Sequence, residues 1–253
     1  MRFRDRAIRA LSLAAAVAAI LGVWALAAAL VHRPLLPSPW SALERLAARM
    51  ADGSLALHLG ASGRRVGLAL IAAGPAAVAL GLASGRSKRL DAFVSPFVYL
   101  LHPIPKVAFL PVIMLFLGLG DAAKVFLIAL IIFGQLLVSS RDAAKAVPEA
   151  LIESMVSLGA SRAQIARHVV FPSALPALFS ALRVSLGTAI AVLFIAESFA
   201  SETGLGWYIV DAWTRVDYPD MYAAIIALAL FGLACYLAVD AAEAALCRWR
   251  DVD

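Results

Sequence analysis

Charge is scarce in this chain of 253 residues: Asp, Glu, Lys and Arg make up 15% of it, against 63% hydrophobic residues. Soluble domains hold about a quarter charged residues and close to half apolar ones, so water is not the main solvent of this sequence. Cysteine is scarcer still. Cys235 and Cys247 fall in the last apolar segment, too far apart along one helix to pair, and read as small packing residues. No G-x-x-x-x-G-K-[ST] phosphate loop occurs, so ATP would have to be handled elsewhere. H-E-x-x-H and G-x-S-x-G are also absent, and the few polar residues at membrane depth are scattered, which argues against an intramembrane enzyme. No metal or cofactor is expected. The formal net charge is +5, yet no basic face interleaved with aromatics appears, which removes nucleic acid as a partner.

What the sequence has is long apolar text. Six segments stand out, at residues 7–31, 66–83, 92–119, 122–139, 174–196 and 221–246. Each reaches across a hydrocarbon core of about 30 Å, where helices satisfy their own backbone. The expected fold is therefore all-α and membrane-embedded, a bundle of six transmembrane helices without a visible internal repeat. The first run follows a basic start and is long for a signal-peptide core, although small residues near Ala27 leave cleavage open.

Lys and Arg alternate between the connections. Arg2, Arg4, Arg6 and Arg9 lead; Arg86, Lys88 and Arg89 fill the second connection; Arg141, Lys145, Arg162 and Arg167 lie in the fourth; Arg248 and Arg250 close the chain. The positive-inside rule makes this side, with both termini, cytoplasmic. Arg33, Arg45, Arg49, Arg64 and Arg65 weaken that argument locally, since they surround the first external segment. That segment opens with HRPLLPSPW, whose prolines forbid a continuous helix, and continues as SALERLAARM, an amphipathic helix expected at the outer interface with lipid. The expected division is residues 1–65, an anchor helix and external segment, and residues 66–253, a core domain with a cytoplasmic loop at 141–173.

The third span contains LHPIPKVAFLP, so Pro103, Pro105 and Pro111 remove backbone donors inside an apolar run. A continuous lipid-facing helix is excluded there. A break of this kind fits a translocation route, with His102, Pro103, Pro105 and Lys106 as pathway or gate candidates, or a plain packing kink. Lys106 could attract an anion or snorkel, and Arg183 is expected near the inner surface against headgroups or the loop. Glu197, at the end of the fifth span, is costly in a membrane unless it faces water or a partner; it either lines an outer gate or fixes the G-L-G turn that follows. Asp211, Trp213 and Asp217 fit an external docking surface or a solvated loop.

The loop PEALIESMVSLGASRAQIARHVVFP, residues 148–172, is too polar for a span. Pro148, Glu149 and Glu153 suit the first turns of a short helix that ends at Leu158 with Gly159 just beyond. After Ala160, Ser161 and Gln164 have capping-box spacing and start a second helix, whose apolar side is Ile165, Val169 and Val170 and whose end is Phe171-Pro172. Two half-apolar helices at an angle fit either a soluble partner or an amphipathic loop resting on headgroups.

The run Glu153-Ser154-Met155, three residues, Gly159, nine residues, Val169, one residue, Phe171-Pro172 resembles the EAA loop of ABC importer permeases, with Ser154 and Met155 in place of two alanines. LPSPW, SGRRVGLAL, HPIPKVAFLPVIMLFLGLGDAAKV and AESFASETGLGWYI extend the likeness to the nitrate/sulfonate/taurine class over nearly the whole chain. The resemblance implies a five-helix small-permease core preceded by one extra helix, in the bacterial inner membrane. It implies a second permease copy as homodimer partner, a pair of cytoplasmic ABC ATPase subunits that bind the ATP, and a periplasmic binding protein that delivers a small anionic solute. Coupling to the ATPase would fall to Glu149, Glu153, Leu158, Gly159, Ala160, Ser161, Gln164, Ile165, Val169 and Pro172. A secondary transporter or channel is the alternative, for which the loop at 148–172 is surplus.

Overall fold

A computed structural model describes residues 2–31, 34–101 and 103–249, with side chains from Ala14 onward. His32, Arg33, His102 and Arg250, named above, lie outside the described residues, as do the side chains of Arg2, Arg4, Arg6 and Arg9. Among the described residues the secondary structure is helical throughout, with no strand. Five helices are long and apolar enough to cross a membrane: α1 (Arg2–Val31, through its residues Ala14–Val31), α3 (Ser54–Arg86), α6 (Asp121–Lys145), the run Arg162–Ser198 that ends in α9 (Phe171–Ser198), and α11 (Tyr218–Leu246). A sixth candidate, among the described residues, is a bent helix pair. Helices α4 (Lys88–Leu101) and α5 (Leu110–Leu117), joined through a 3₁₀ turn at Lys106–Phe109, meet at 81°. The prolines explain the break: Pro105 caps the 3₁₀ turn and Pro111 sits in the first turn of α5, where its missing N–H costs nothing.

The core is α3 laid against α6, with α9 packed on α6 and touching α3 as well. Lipid removes the hydrophobic drive between helices, so small residues must let backbones touch. Gly81 and Gly85, one turn apart on α3, do this. A Cβ at Gly81 would fall 2.5 Å from Ser140 Cβ and 2.6 Å from the Leu137 carbonyl oxygen, and one at Gly85 would fall 2.5 Å from the Arg141 carbonyl oxygen. Between these helices Ala69, Ala73 and Ala77 pack on Leu127, Ile128, Ile132 and Leu136.

Helix α3 starts at Ser54, twelve residues before the apolar run read from the sequence, and so crosses the 65/66 division without interruption. Helix α2 (Pro39–Ala51) starts after Pro37 with Ser38 as its amino cap, the Ser38 hydroxyl accepting from Ser41 N–H. It is held to the protein and not only laid on an interface: Arg49 donates to both Asp220 oxygens, at 2.8 to 3.1 Å, and Arg45 pairs with the same carboxylate at 3.1 Å. Hydrogen bonds to Asp220 raise the Arg49 pKa above its already high ordinary range. Tyr208, on α10 (Leu205–Thr214), donates to Asp220 at 3.2 Å, and burial pushes its phenol up. Helix α1 touches this assembly through Trp24, whose indole donates to the Pro37 carbonyl at 3.1 Å and whose ring lies 5.4 Å from that of Tyr222.

Candidate functional site

The segment 148–170 forms an elbow at one end of the bundle. Helix α7 (Glu149–Ser157) ends in a Schellman motif: Ala160 N–H donates to Met155 O at 3.0 Å and Gly159 N–H to Val156 O at 2.9 Å, with Gly159 at φ +77°. Only a residue without a Cβ adopts that angle at little cost. Ser161 then opens α8 (Arg162–Ile165) with a complete capping box, its hydroxyl accepting from Gln164 N–H at 3.3 Å and its own N–H donating to the Gln164 side chain at 2.7 Å.

The second helix does not stop at Phe171-Pro172. A π-helical turn, Ala166–Val170, carries α8 straight into α9, with Phe171 N–H donating to Ala166 O. A proline ring clashes with the carbonyl four residues earlier in an α-helix; the wider turn before Pro172 relieves that clash. The elbow is therefore an extension of a membrane helix, and a push on α8 acts directly on α9.

One face of the elbow is held by the bundle. Ile152, Ile165 and Val169 pack against Ala144, Val147 and Val170, and Glu149 pairs with Arg86 of α3 at 3.0 Å. The other face is open: Leu151, Val156 and Leu158 are exposed, Leu158 to 83%, and so are Glu153, Gly159, Ser161 and Gln164. Glu149, Ile165 and Val169 thus engage their own chain, while Ala160 is half-buried at the bend and Pro172 sits in the first turn of α9.

At the opposite end lies a network of buried charge. Arg65 (2% exposed) pairs with Glu197 (0%) at 2.5 Å and with Asp121 at 2.6 Å, and donates to the Thr203 carbonyl at 2.8 Å and hydroxyl at 3.0 Å. Glu197 also accepts from Ser62 Oγ and from Gly206 N–H, each at 2.9 Å. Ser62 in turn accepts from Leu205 N–H at 2.9 Å, and His58 Nδ1 from Gly204 N–H at 3.1 Å. Gly204 stands at φ +115°, where any Cβ would collide with the Glu197 carboxylate and the Arg65 guanidinium. Arg64 adds an ion pair to Asp121. Glu197 is thus tied to the G-L-G turn, its lone pairs filled by the protein.

Of the remaining residues singled out, Pro103 and Pro105 sit in the break of the third span, and Lys106 donates to the Leu101 carbonyl at 3.0 Å, closing the end of α4. Lys106 also lines an apolar cavity of about 410 Å³ with Phe93, Phe97, Gly134 and Leu137. Arg183 does not face headgroups or the loop: it pairs with Asp240 at 2.5 Å and with Glu243 of α11, and lies over the Tyr236 ring. Sequence reasoning treated Arg64 and Arg65 as exceptions to a charge rule. Glycine-rich text after Glu197, together with an arginine pair at the edge of an apolar run, was the available signal for the burial of Arg65 and the pairing of both with carboxylates.

Residues 75–251, which take in the last third of α3, the elbow and α4 to α11, match the family of binding-protein-dependent transport system inner membrane components. The chain belongs to this family. The chain is 34% identical over 241 residues to the taurine transport system permease protein TauC of Escherichia coli (strain K12), covering 92% of this chain and 88% of the relative. It is 35% identical over 161 residues to the riboflavin transport system permease protein RibX of Chloroflexus aurantiacus, covering 64% and 60% of the two chains. Its fold is similar to that of a chain of the inward-facing MetNI methionine ABC transporter, with a TM-score of 0.61 at 22% identity over 75% of this chain and 92% of that one. As a member of this family, the chain is a membrane component of a transport system. Glu197, Asp121 and the elbow lie inside the matched span; Ser62 and Arg65 precede it.

Proposed function

We propose that this chain is the transmembrane permease subunit of an ABC importer, with the elbow in the cytoplasm and both chain termini on the same side. Two copies pair to form the pathway, each elbow docks on a separate ABC ATPase, and a periplasmic binding protein delivers the solute at the opposite end. The solute is a small organic acid of the aminosulfonate kind, a reading supported by the taurine permease among the relatives. Positive charge at the elbow end, in Arg86, Lys88, Arg89, Arg141, Lys145, Arg162 and Arg167, supports the orientation. At the other end Arg64 and Arg65 are neutralised by Asp121 and Glu197, which removes much of the local objection.

The observation that carries this reading is the elbow itself. Exposed apolar side chains, Leu151, Val156 and Leu158, beside a left-handed glycine are surface that the chain's own bundle leaves open, on a segment continuous with α9. Closure of two ATPase subunits would displace both elbows, and each α9 would carry the displacement to the pathway. Arg183, paired to α11 from the inner half of α9, makes those two helices move together. Pro103, Pro105 and Lys106 line the route at the broken span, and Glu197 acts by holding the outer turn.

The test is reconstitution with the ATPase and binding protein in liposomes. Taurine uptake is expected to require ATP and to be lost in Gly159→Asp, with insertion unchanged. Uptake driven by an ion gradient without the ATPase would instead establish a secondary transporter.

A further inference from the structure

Lys124 is the buried cation that the far-end ion pairs leave out. Its side chain is 2% exposed, and its ammonium donates to two backbone carbonyls, Leu119 at 2.9 Å and Ala200 at 3.4 Å. The described ion pairs around it join Arg64 and Arg65 to Asp121 and Arg65 to Glu197, so those two carboxylates are already spent on guanidinium groups. This buried ammonium bonds neutral carbonyls and no carboxylate directly, and two acceptors leave one of its three donors over.

Lys124 lines a cavity of about 480 Å³ formed by the start of α6 and the loop at 200–203, together with Leu119 and Ala200, whose carbonyls its ammonium bonds. A second observation falls in the same wall: the Ser201 hydroxyl is shielded from solvent and has no hydrogen-bond partner among the described residues. Buried hydroxyls are rarely left so, and an orphan donor beside a cation marks a place for an acceptor. Gly120, the amino cap of α6, also lines the cavity, and no side chain there fills the first-turn N–H groups at the positive end of the helix. Arg65 spends its donors on Glu197, Asp121 and Thr203, so Lys124 and Ser201 are the groups with capacity to spare. Glu202, exposed in the same wall, would steer an acid group away from itself and toward Lys124.

We propose that this cavity is an anion subsite, which takes the sulfonate or carboxylate head of a small organic acid between the Lys124 ammonium and the Ser201 hydroxyl. The proposal rests on the permease reading only for the source of that acid. At the solute-receiving end it would hold the head group after release from the binding protein, before the pathway opens.

The experiment uses the full chain in phosphatidylcholine nanodiscs, with methanesulfonate as the probe, followed by saturation-transfer NMR. Saturable binding is expected, weakened about tenfold or more in Lys124→Gln, as for loss of a charge-assisted hydrogen bond. Lys124→Gln also loses the carbonyl contacts that close the loop, so Ser201→Ala is the cleaner variant. It removes only an unpartnered hydroxyl, and should keep the melting temperature while weakening the probe several-fold. Equal affinity in Ser201→Ala and the parent chain, or no saturable binding at all, overturns the subsite. Adding phosphatidylglycerol separates the sources of oxyanion: unchanged methanesulfonate binding supports the free acid, and competitive loss assigns the cavity to a phospholipid head group instead. ATP-driven taurine uptake without methanesulfonate binding would sink the subsite and leave the permease reading; binding without ATP-driven uptake would do the reverse.

Discussion

The two ends of the bundle treat polar and apolar surface in opposite ways. At the elbow, Ser161 and Gln164 satisfy each other, Ser154 and Ser157 bond the backbone of their own helix, and Leu158 stands in the open. At the far end, Arg65, Ser62 and Glu197 are sealed, and each is bonded to a helix or turn more than 130 residues away in sequence. A buried ion pair contributes little net stability but fixes geometry, because either partner alone is strongly unfavourable. One end is therefore a rigid frame, and the other is locally self-sufficient with apolar surface left exposed.

The strongest way to break this comparison is to remove one charge from the frame. Glu197→Ala leaves Arg65 with Asp121 as its remaining carboxylate partner, and orphans the Ser62 hydroxyl proton and Gly206 N–H. A loss of about 3 to 5 kcal/mol is expected, seen as poor yield and a lowered melting temperature in detergent. Glu197→Gln, which keeps the shape and the acceptor for Ser62, should lose less. A melting temperature unchanged by Glu197→Ala would show that the network is decoration.

Gly159→Asp should do the opposite, with near-normal melting and no ATP-driven uptake. The structure sharpens what this variant tests. A Cβ at Gly159 meets nothing within 4 Å in its own chain, so the internal cost is the φ angle alone, on the order of 1 kcal/mol. Asn tolerates that angle better than most residues. Loss of uptake in Gly159→Asn as well would therefore point to steric exclusion of a docked partner, and retained uptake to backbone geometry. Normal uptake in both variants would remove the elbow from the mechanism.

How much of this was legible follows from the range of each interaction. The elbow was readable because its determinants act over three to six residues: a proline and an acid at the start, a glycine at the end, a hydroxyl and an amide three apart. The spans were readable from apolar length. The frame was not, because Arg49 and Asp220 are 171 positions apart and Arg65 and Glu197 are 132 apart. The same blindness hid the start of α3: Ser62, Arg64 and Arg65 interrupt the apolar text, yet their partners on other elements keep the helix going. The continuation of α8 into α9 was missed for a local reason. Proline usually ends a helix, and nothing short of the backbone path announces a π turn that accommodates it.

Arg49→Ala comes next in size. Asp220 would keep Arg45 and Tyr208, so the carboxylate is not abandoned, and a loss of about 1 to 2 kcal/mol is expected with α2 loosened. Hydrogen exchange along α2 would report it, with α6 and α9 unaffected. Protection that stays unchanged would mean that α2 is held by its apolar face and not by the ion pairs.

The smallest effect belongs to Glu149→Ala. Its pair with Arg86 is the ionic tie between elbow and α3 among the described residues, and Glu149 is largely exposed, so the expected cost is within about 0.5 kcal/mol. That near-silence is informative. The elbow would then be held by Ile152, Ile165 and Val169 on Ala144, Val147 and Val170, a nonpolar contact without direction that can slide under load. A drop in melting temperature matching that of Arg49→Ala would show instead that the elbow is locked by charge, like the frame. A locked elbow could not pass motion into α9, since any displacement would first have to break the pair.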